Sequence, residues 1–222
     1  MNLLKTALLI SSLLLSGVSI SAQKTEITIS FSEQFFDALL DAVFHHAAPP
    51  EFKLSATPQR KPVASAFLPE RSACAESIKL MREIEGVRTA VRFRNGQILA
   101  PLAFSGSYNP PFIGCVPFAG WAETTVDLAF DQAGQRLIAR ARVHNVSLSG
   151  TGGVGSAIIA KMIQTSIDKK INPIELIRTD KVSFMLPLQN SNGLRMKATG
   201  FTHEIVNGQL NVRIAYEFEK AR

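Results

Sequence analysis

Gly150, Gly152 and Gly155 spell G-x-G-x-x-G at the entry to an apolar, helically spaced run. Glycines so placed let a backbone close on a phosphate at a helix N-terminus. A dinucleotide fingerprint also needs a parallel βαβ unit, and the stretch before these glycines reads as half of a hairpin. Ser156 stands where a P-loop requires Lys. The glycines therefore read as a flexible, closely packed entry to a helix whose free N–H groups could still accept a phosphate.

Asp37, Asp41 and His45 recur at i, i+4 and i+8, so two carboxylates and an imidazole can share a helix face and hold a cation. No fourth ligand is evident, and polar residues opposite an apolar stripe are what a surface helix shows. No metal and no cofactor are expected. His46 points elsewhere, and His144 and His203 are isolated. There is no G-x-S-x-G, and no Ser or Cys has an evident base, so no catalytic residue is expected and the chain reads as non-enzymatic.

Arg88, Arg92 and Arg94 share one strand face, and Arg136, Arg140 and Arg142 share another. Each set could form a basic band for anionic headgroups; the competing reading is a solvated sheet face whose charges protect an edge. Aromatic residues are not interleaved with these arginines, so nucleic acid is not an expected partner.

Cys74 and Cys115 are the two cysteines of the 222-residue chain, and a disulfide between them suits an exported protein. Two buried thiols are the alternative. Export itself is read from residues 1–22. Lys5 gives a positive start, residues 7–20 are apolar, and Ser21-Ala22 offers a small-residue cleavage site. A signal peptide over 1–22, leaving one domain over 23–222 that is periplasmic or secreted, is the expectation; a retained N-terminal anchor is the alternative. The formal charge of +6 falls to +5 without Lys5, which permits attraction to anionic surfaces without requiring it.

The elements that would position these residues follow from periodicity. Residues 26–31 alternate as a strand, Ser32 sits where a helix N-cap should be, and Phe35, Phe36, Leu39, Leu40 and Val43 stripe a helix over about 33–46. Pro49 and Pro50 end it, and a Pro-rich loop occupies about 48–71, either packing across the surface or hiding a short element. Strands are expected over 87–94 and 97–107 around Asn95-Gly96, and over 121–130 and 136–148 around a turn at 132–135. A second helix carries Ile158, Ile159, Met162, Ile163 and Ile167 and stops at Asn172-Pro173. Three strands close the chain, over about 182–188, up to 206, and 209–218, with Asn207-Gly208 between the last two.

The resulting order, β-α-β4-α-β3, is an α+β architecture: a curved antiparallel sheet wrapped around two amphipathic helices. An opening strand followed by Ser-Glu-Gln-Phe-Phe-Asp-Ala-Leu-Leu, a second helix ending Ile-Asp-Lys-Lys-Ile-Asn-Pro-Ile, and the closing hairpin Ile205–Ile214 together resemble the tubular lipid-binding (TULIP, or BPI-like) superfamily, in particular its small bacterial exported members. The resemblance implies a sheet roll that holds a lipid in an internal groove, with no catalytic residue to carry over.

A groove lined by Phe35, Leu39, Leu40, Val43, Ile159, Met162 and Ile163 is therefore the expected binding site for a lipid or other hydrophobic small molecule. Residues 109–121 crowd Phe112, Phe118 and Trp121 among prolines and glycines, and such an apolar loop must cover a groove, contact a partner or dip into a membrane. Here it is expected as the lid. Transient contact with a membrane or an envelope protein is the secondary expectation; a structural or interaction protein whose helix stripes are simply core is the alternative function, and a hydrolase is the lesser alternative, for which no residue is singled out.

Overall fold

Alternating apolar residues in long runs make most of the described residues strand, and the pairing among them is antiparallel throughout. The computed structural model describes residues 25–54, 74, 76–109, 114–149, 155–189 and 193–220. The expected signal segment, residues 55–71 of the Pro-rich loop, Phe112, Gly150 and Gly152 lie outside the described residues.

The chain opens with β1 (Thr25–Ser32) and α1 (Glu33–His46). The Ser32 hydroxyl accepts the Phe35 N–H, the N-cap that the sequence implies. Short strands follow: β2 (Glu51–Lys53), β3 (Ser77–Met81), β4 (Glu83–Ile84), β5 (Val87–Arg88), β6 (Arg92–Arg94), β7 (Gln97–Leu99) and β8 (Leu102–Tyr108). Two long strands come next, β9 (Val116–Asp131) and β10 (Arg136–Leu148), and then α2 (Ser156–Lys170). The tail is β11 (Ile174–Arg178), a 3-10 turn at Thr179–Lys181, β12 (Phe184–Leu186), β13 (Leu194–Val206) and β14 (Gln209–Lys220).

The coarse expectation of an antiparallel α+β fold with curved sheets and two helices holds, but the strand count differs. Where one strand is expected over 87–94, Glu85-Gly86 makes a tight β4–β5 hairpin, both residues having positive φ, and β6 starts afresh at Arg92. The strand expected over 97–107 is interrupted at Pro101, which has no N–H to donate. Its register on β9 nevertheless carries through, Ile98 facing Val126 and Leu102 facing Ala122. What changes across Pro101 is the outer neighbour, β6 before it and β3 after it. The Pro-rich loop does contain a short element, β2, whose Phe52 pairs with Ile78 of β3. β11 also went unforeseen; it pairs with the start of β10.

The strands form two main sheets. The smaller runs β1-β14-β13-β12, and the larger runs β11-β10-β9-β8-β3-β2, with β7 also pairing with β9 and β6 pairing with β7. Even-numbered residues of β9 face one side along its whole length, and that face serves two cores. Phe118 and Ala122 pack with Phe104, Val146 and the Ile159, Ile163 and Ile167 stripe of α2. Further along, Val126, Leu128 and Phe130 pack instead against Phe201, Leu210, Val212 and Ile214 of the smaller sheet. One curled sheet thus holds α2 at one end and a second sheet at the other.

β10 keeps up with this by a bulge. Leu137, Ala139, Ala141 and Val143 face inward, the register slips between Val143 and Asn145, and Val146 and Leu148 continue on the same side. One extra residue switches the parity of the alternation without turning apolar side chains outward. β13 uses the same device between Ala198 and Gly200, passing from Met196 and Ala198 to Phe201.

Beyond the end of β11, the edge of β10 is closed by side-chain amides. Asn172 donates to the Ala141 carbonyl and accepts its N–H at 2.8 and 2.9 Å, and Gln164 of α2 accepts the Val143 N–H at 2.7 Å. Backbone groups that lack a neighbouring strand are thereby satisfied. The Cys74–Cys115 disulfide is formed, with the Cα atoms 5.5 Å apart, and ties the approach to β3 to the start of β9.

Candidate functional site

Between the smaller sheet and the β6–β11 end of the larger one the side chains do not meet everywhere. A cavity of about 380 Å³ remains. Its walls are Val126 and Leu128 of β9, Leu137 and Ala139 of β10, Phe201 of β13, and Leu210, Val212 and Ile214 of β14. One end is aromatic: Phe36 of α1 stands edge-on to Phe93 of β6, ring centres 5.9 Å apart, with Phe31 of β1 beside it at 6.0 Å. Ile29 of β1 and Ile174 and Leu176 of β11 also line the space yet remain exposed, so they mark its mouth. Both strands are the outermost of their sheets. Among the described residues no polar side chain lines it, and the volume lies in the lower part of the range of small-molecule pockets.

Such a cleft can take an apolar guest by removing it from water, at roughly 0.8 kcal/mol per buried methylene. It offers no group to protonate, attack or coordinate one. Orientation would come only from shape.

Of the ten side chains expected to bind ligand, Phe112 lies outside the described residues, and the other nine are not brought together around this space. Phe35, Leu39 and Val43 are exposed on α1, at 48%, 46% and 39%, and Leu40 is half-buried. Of the α1 stripe only Phe36 reaches the cleft. Ile159 and Ile163 belong to the core under α2, and Met162 faces a different groove. Phe118 and Trp121 are not in a lid. β9 begins at Val116, Phe118 points into the α2 core, and Trp121, on the opposite parity, lies across from Ser147 and Ala103. The expected groove between the two helices is thus replaced by a cleft between two sheets, because each helix covers a different core. The useful signal was present in the alternation of β9, β10 and β14; which of those inward positions stay uncovered depends on how the sheets splay.

The groups that could have done polar chemistry are occupied by one another. On α1, Glu33, Asp37 and Asp41 form a ladder with arginines of the neighbouring strands. Glu33 meets Arg94 at 2.6 Å, Asp37 meets Arg92 at 3.1 Å, and Asp41 meets Arg82 at 2.6 Å and Arg88 at 3.2 Å. The same contacts absorb the proposed basic band of Arg88, Arg92 and Arg94. Glu33 also accepts the Phe93 N–H at 2.7 Å, pinning α1 to β6 at the aromatic end of the cleft. Burial pushes the Glu33 carboxyl up, but the Phe93 N–H, the Arg94 hydrogen bond and the Arg94 and Arg92 charges outweigh it and hold it below its ordinary value. The hydrogen bond from Arg82 likewise holds Asp41 low. His45 stacks edge-on against His46 instead of joining the carboxylates.

Among the described residues no cluster of His, Cys, Asp and Glu could hold a metal ion. His144 and His203, isolated in the sequence, line one polar pocket of about 310 Å³ with Asp127 and Arg142. Thr125 Oγ1 lies 2.8 Å from His144 Nε2, with no carboxylate bonded to that ring among the described residues to orient it as a base. No protein-family model matches the chain, and no curated protein is significantly similar to it.

Proposed function

We propose that this chain is an extracytoplasmic binding protein, periplasmic or secreted, for a lipid or other hydrophobic small molecule, of the tubular lipid-binding kind. The carrying observation is the wholly apolar cleft of about 380 Å³ with its mouth between the outer strands β1 and β11. An unfilled apolar space forfeits dispersion contacts along its lining, so a guest of matching shape recovers them. The disulfide favours an oxidising compartment, in keeping with the leader-like residues 1–22. Among the described residues no helix is long and apolar enough to cross a membrane. The opening strand and helix, the second helix and the closing hairpin support the family reading.

The test is uptake of a neutral apolar dye, N-phenyl-1-naphthylamine, by the wild type and by Ala139→Trp. Ala139 is buried and lines the cleft, so an indole there fills it. Saturable fluorescence in the wild type that weakens at least about tenfold in a folded Ala139→Trp, about 1.4 kcal/mol, is the expected result. Absent uptake, or uptake indifferent to the substitution, rejects the reading. An interaction protein is the second reading, favoured by the exposed stripe Phe35, Leu39 and Val43 on α1; it expects no dye uptake.

A further inference from the structure

A second concavity, of about 300 Å³, lies along α2, shares no lining residue with the cleft and has a different chemistry. Ile158, Lys161, Met162, Thr165 and Lys169 recur at helical spacing along the face of α2 that adjoins its buried isoleucine stripe. Tyr108 of β8 and Lys53 of β2 complete the walls, and Lys170 stands at the end. Among the described residues the lining therefore gathers four lysines around an apolar floor, with no carboxylate.

Lys169 and Lys170 are accounted for by the C-terminus of α2, whose carbonyl dipoles favour cations. Lys53 and Lys161 are not. Lys53 arrives on a separate strand, and among the described residues the one lysine held in an ion pair is Lys197, with Glu219. Like charges brought to one groove without counter-charges repel one another, and an anion relieves that repulsion. The floor adds an independent pointer. Ser166 lines the same groove, is only 7% exposed, and its hydroxyl has no hydrogen-bond partner among the described residues. A buried polar group in that state costs free energy until a ligand satisfies it.

We propose that this groove is a second binding site, distinct from the apolar cleft, for an anionic amphiphile. Its phosphate or carboxylate sits among the lysines, and its first apolar carbons lie on Ile158, Met162 and Tyr108. The cleft between the sheets accepts guests without charge; the groove on α2 selects for charge. The proposal does not depend on occupancy of the cleft.

The experiment is an amide NMR titration of the full folded protein with octyl phosphate, octyl glucoside and inorganic phosphate. Octyl phosphate is expected to shift the amides of Lys161, Thr165 and Lys169, and to do so equally in Ala139→Trp, whose cleft is filled. Inorganic phosphate should bind the groove at least about tenfold more weakly, and octyl glucoside should leave it unmoved. Lys53→Glu combined with Lys161→Glu should weaken octyl phosphate about tenfold or more, with the rest of the spectrum unchanged. If the double variant does not fold, Lys161→Gln alone is used, and several-fold weakening is expected. Shifts confined to cleft residues such as Leu128 and Ile174, equal binding of inorganic phosphate, or affinity insensitive to the lysine substitutions would overturn the proposal.

Discussion

Glu33 shows how one side chain can decide where a helix goes. It begins α1, accepts the Phe93 N–H and meets Arg94, so the same carboxylate joins the opening strand–helix unit to β6. Replacing it with Gln leaves a weaker acceptor for the Phe93 N–H and removes the charge facing Arg94 and Arg92. A loss of about 1–3 kcal/mol at neutral pH is expected from urea unfolding. Because the folded-state pKa of Glu33 lies below the ordinary 4.5, its contribution is present above that value and drains away as the pH falls through the lowered folded value. The stability gap between wild type and Glu33→Gln should therefore close in acid. A gap that persists well below pH 4.5 would show that the carboxylate's charge is not what matters.

At the scale of elements, the larger sheet owes its shape to interruptions that alternation alone does not announce. Pro101 lets one line of chain along β9 change partners, and the bulges in β10 and β13 keep apolar side chains on one side across a shift of parity. The disulfide acts at the same level, joining the entries of β3 and β9 across a sequence separation of 41 residues. On the chain-entropy account, closing a loop of that length is worth about 4 kcal/mol. Cys115→Ser paired with Cys74→Ser should lower the unfolding free energy by an amount of that order and leave the far-ultraviolet circular dichroism unchanged. A melting temperature that does not move would place the stabilisation of this junction in the β3–β8–β9 ladder instead.

For the whole molecule, the consequence of one curled sheet serving two cores is that stability and ligand uptake can be separated. Phe104, 1% exposed, sits edge-on to Phe118 in the core under α2 and does not line the cleft. Phe104→Ala should cost about 3–5 kcal/mol, since the cavity it leaves has no means to collapse between sheet and helix. Dye affinity measured below the unfolding transition should stay at the wild-type value. Loss of uptake in parallel with stability would mean that the two cores act as one body.

The sequence by itself determined the local matters. It specified α1 from its Ser32 cap to His46, the turns at Asn95-Gly96 and Asn207-Gly208, the β9–β10 hairpin, and the pairing of Cys74 with Cys115. Each of these depends on neighbours a few residues apart, or on a bond between the two cysteines available. Tertiary structure alone decided that Glu33, Asp37 and Asp41 face arginines instead of a cation, that the stripe of α2 is buried while most of the α1 stripe stays exposed, and that the open apolar space lies between sheets. Those outcomes depend on how far two twisted sheets diverge and on which edge each helix covers. Periodicity says which side of an element is apolar, but not whether another surface will come close enough to cover it.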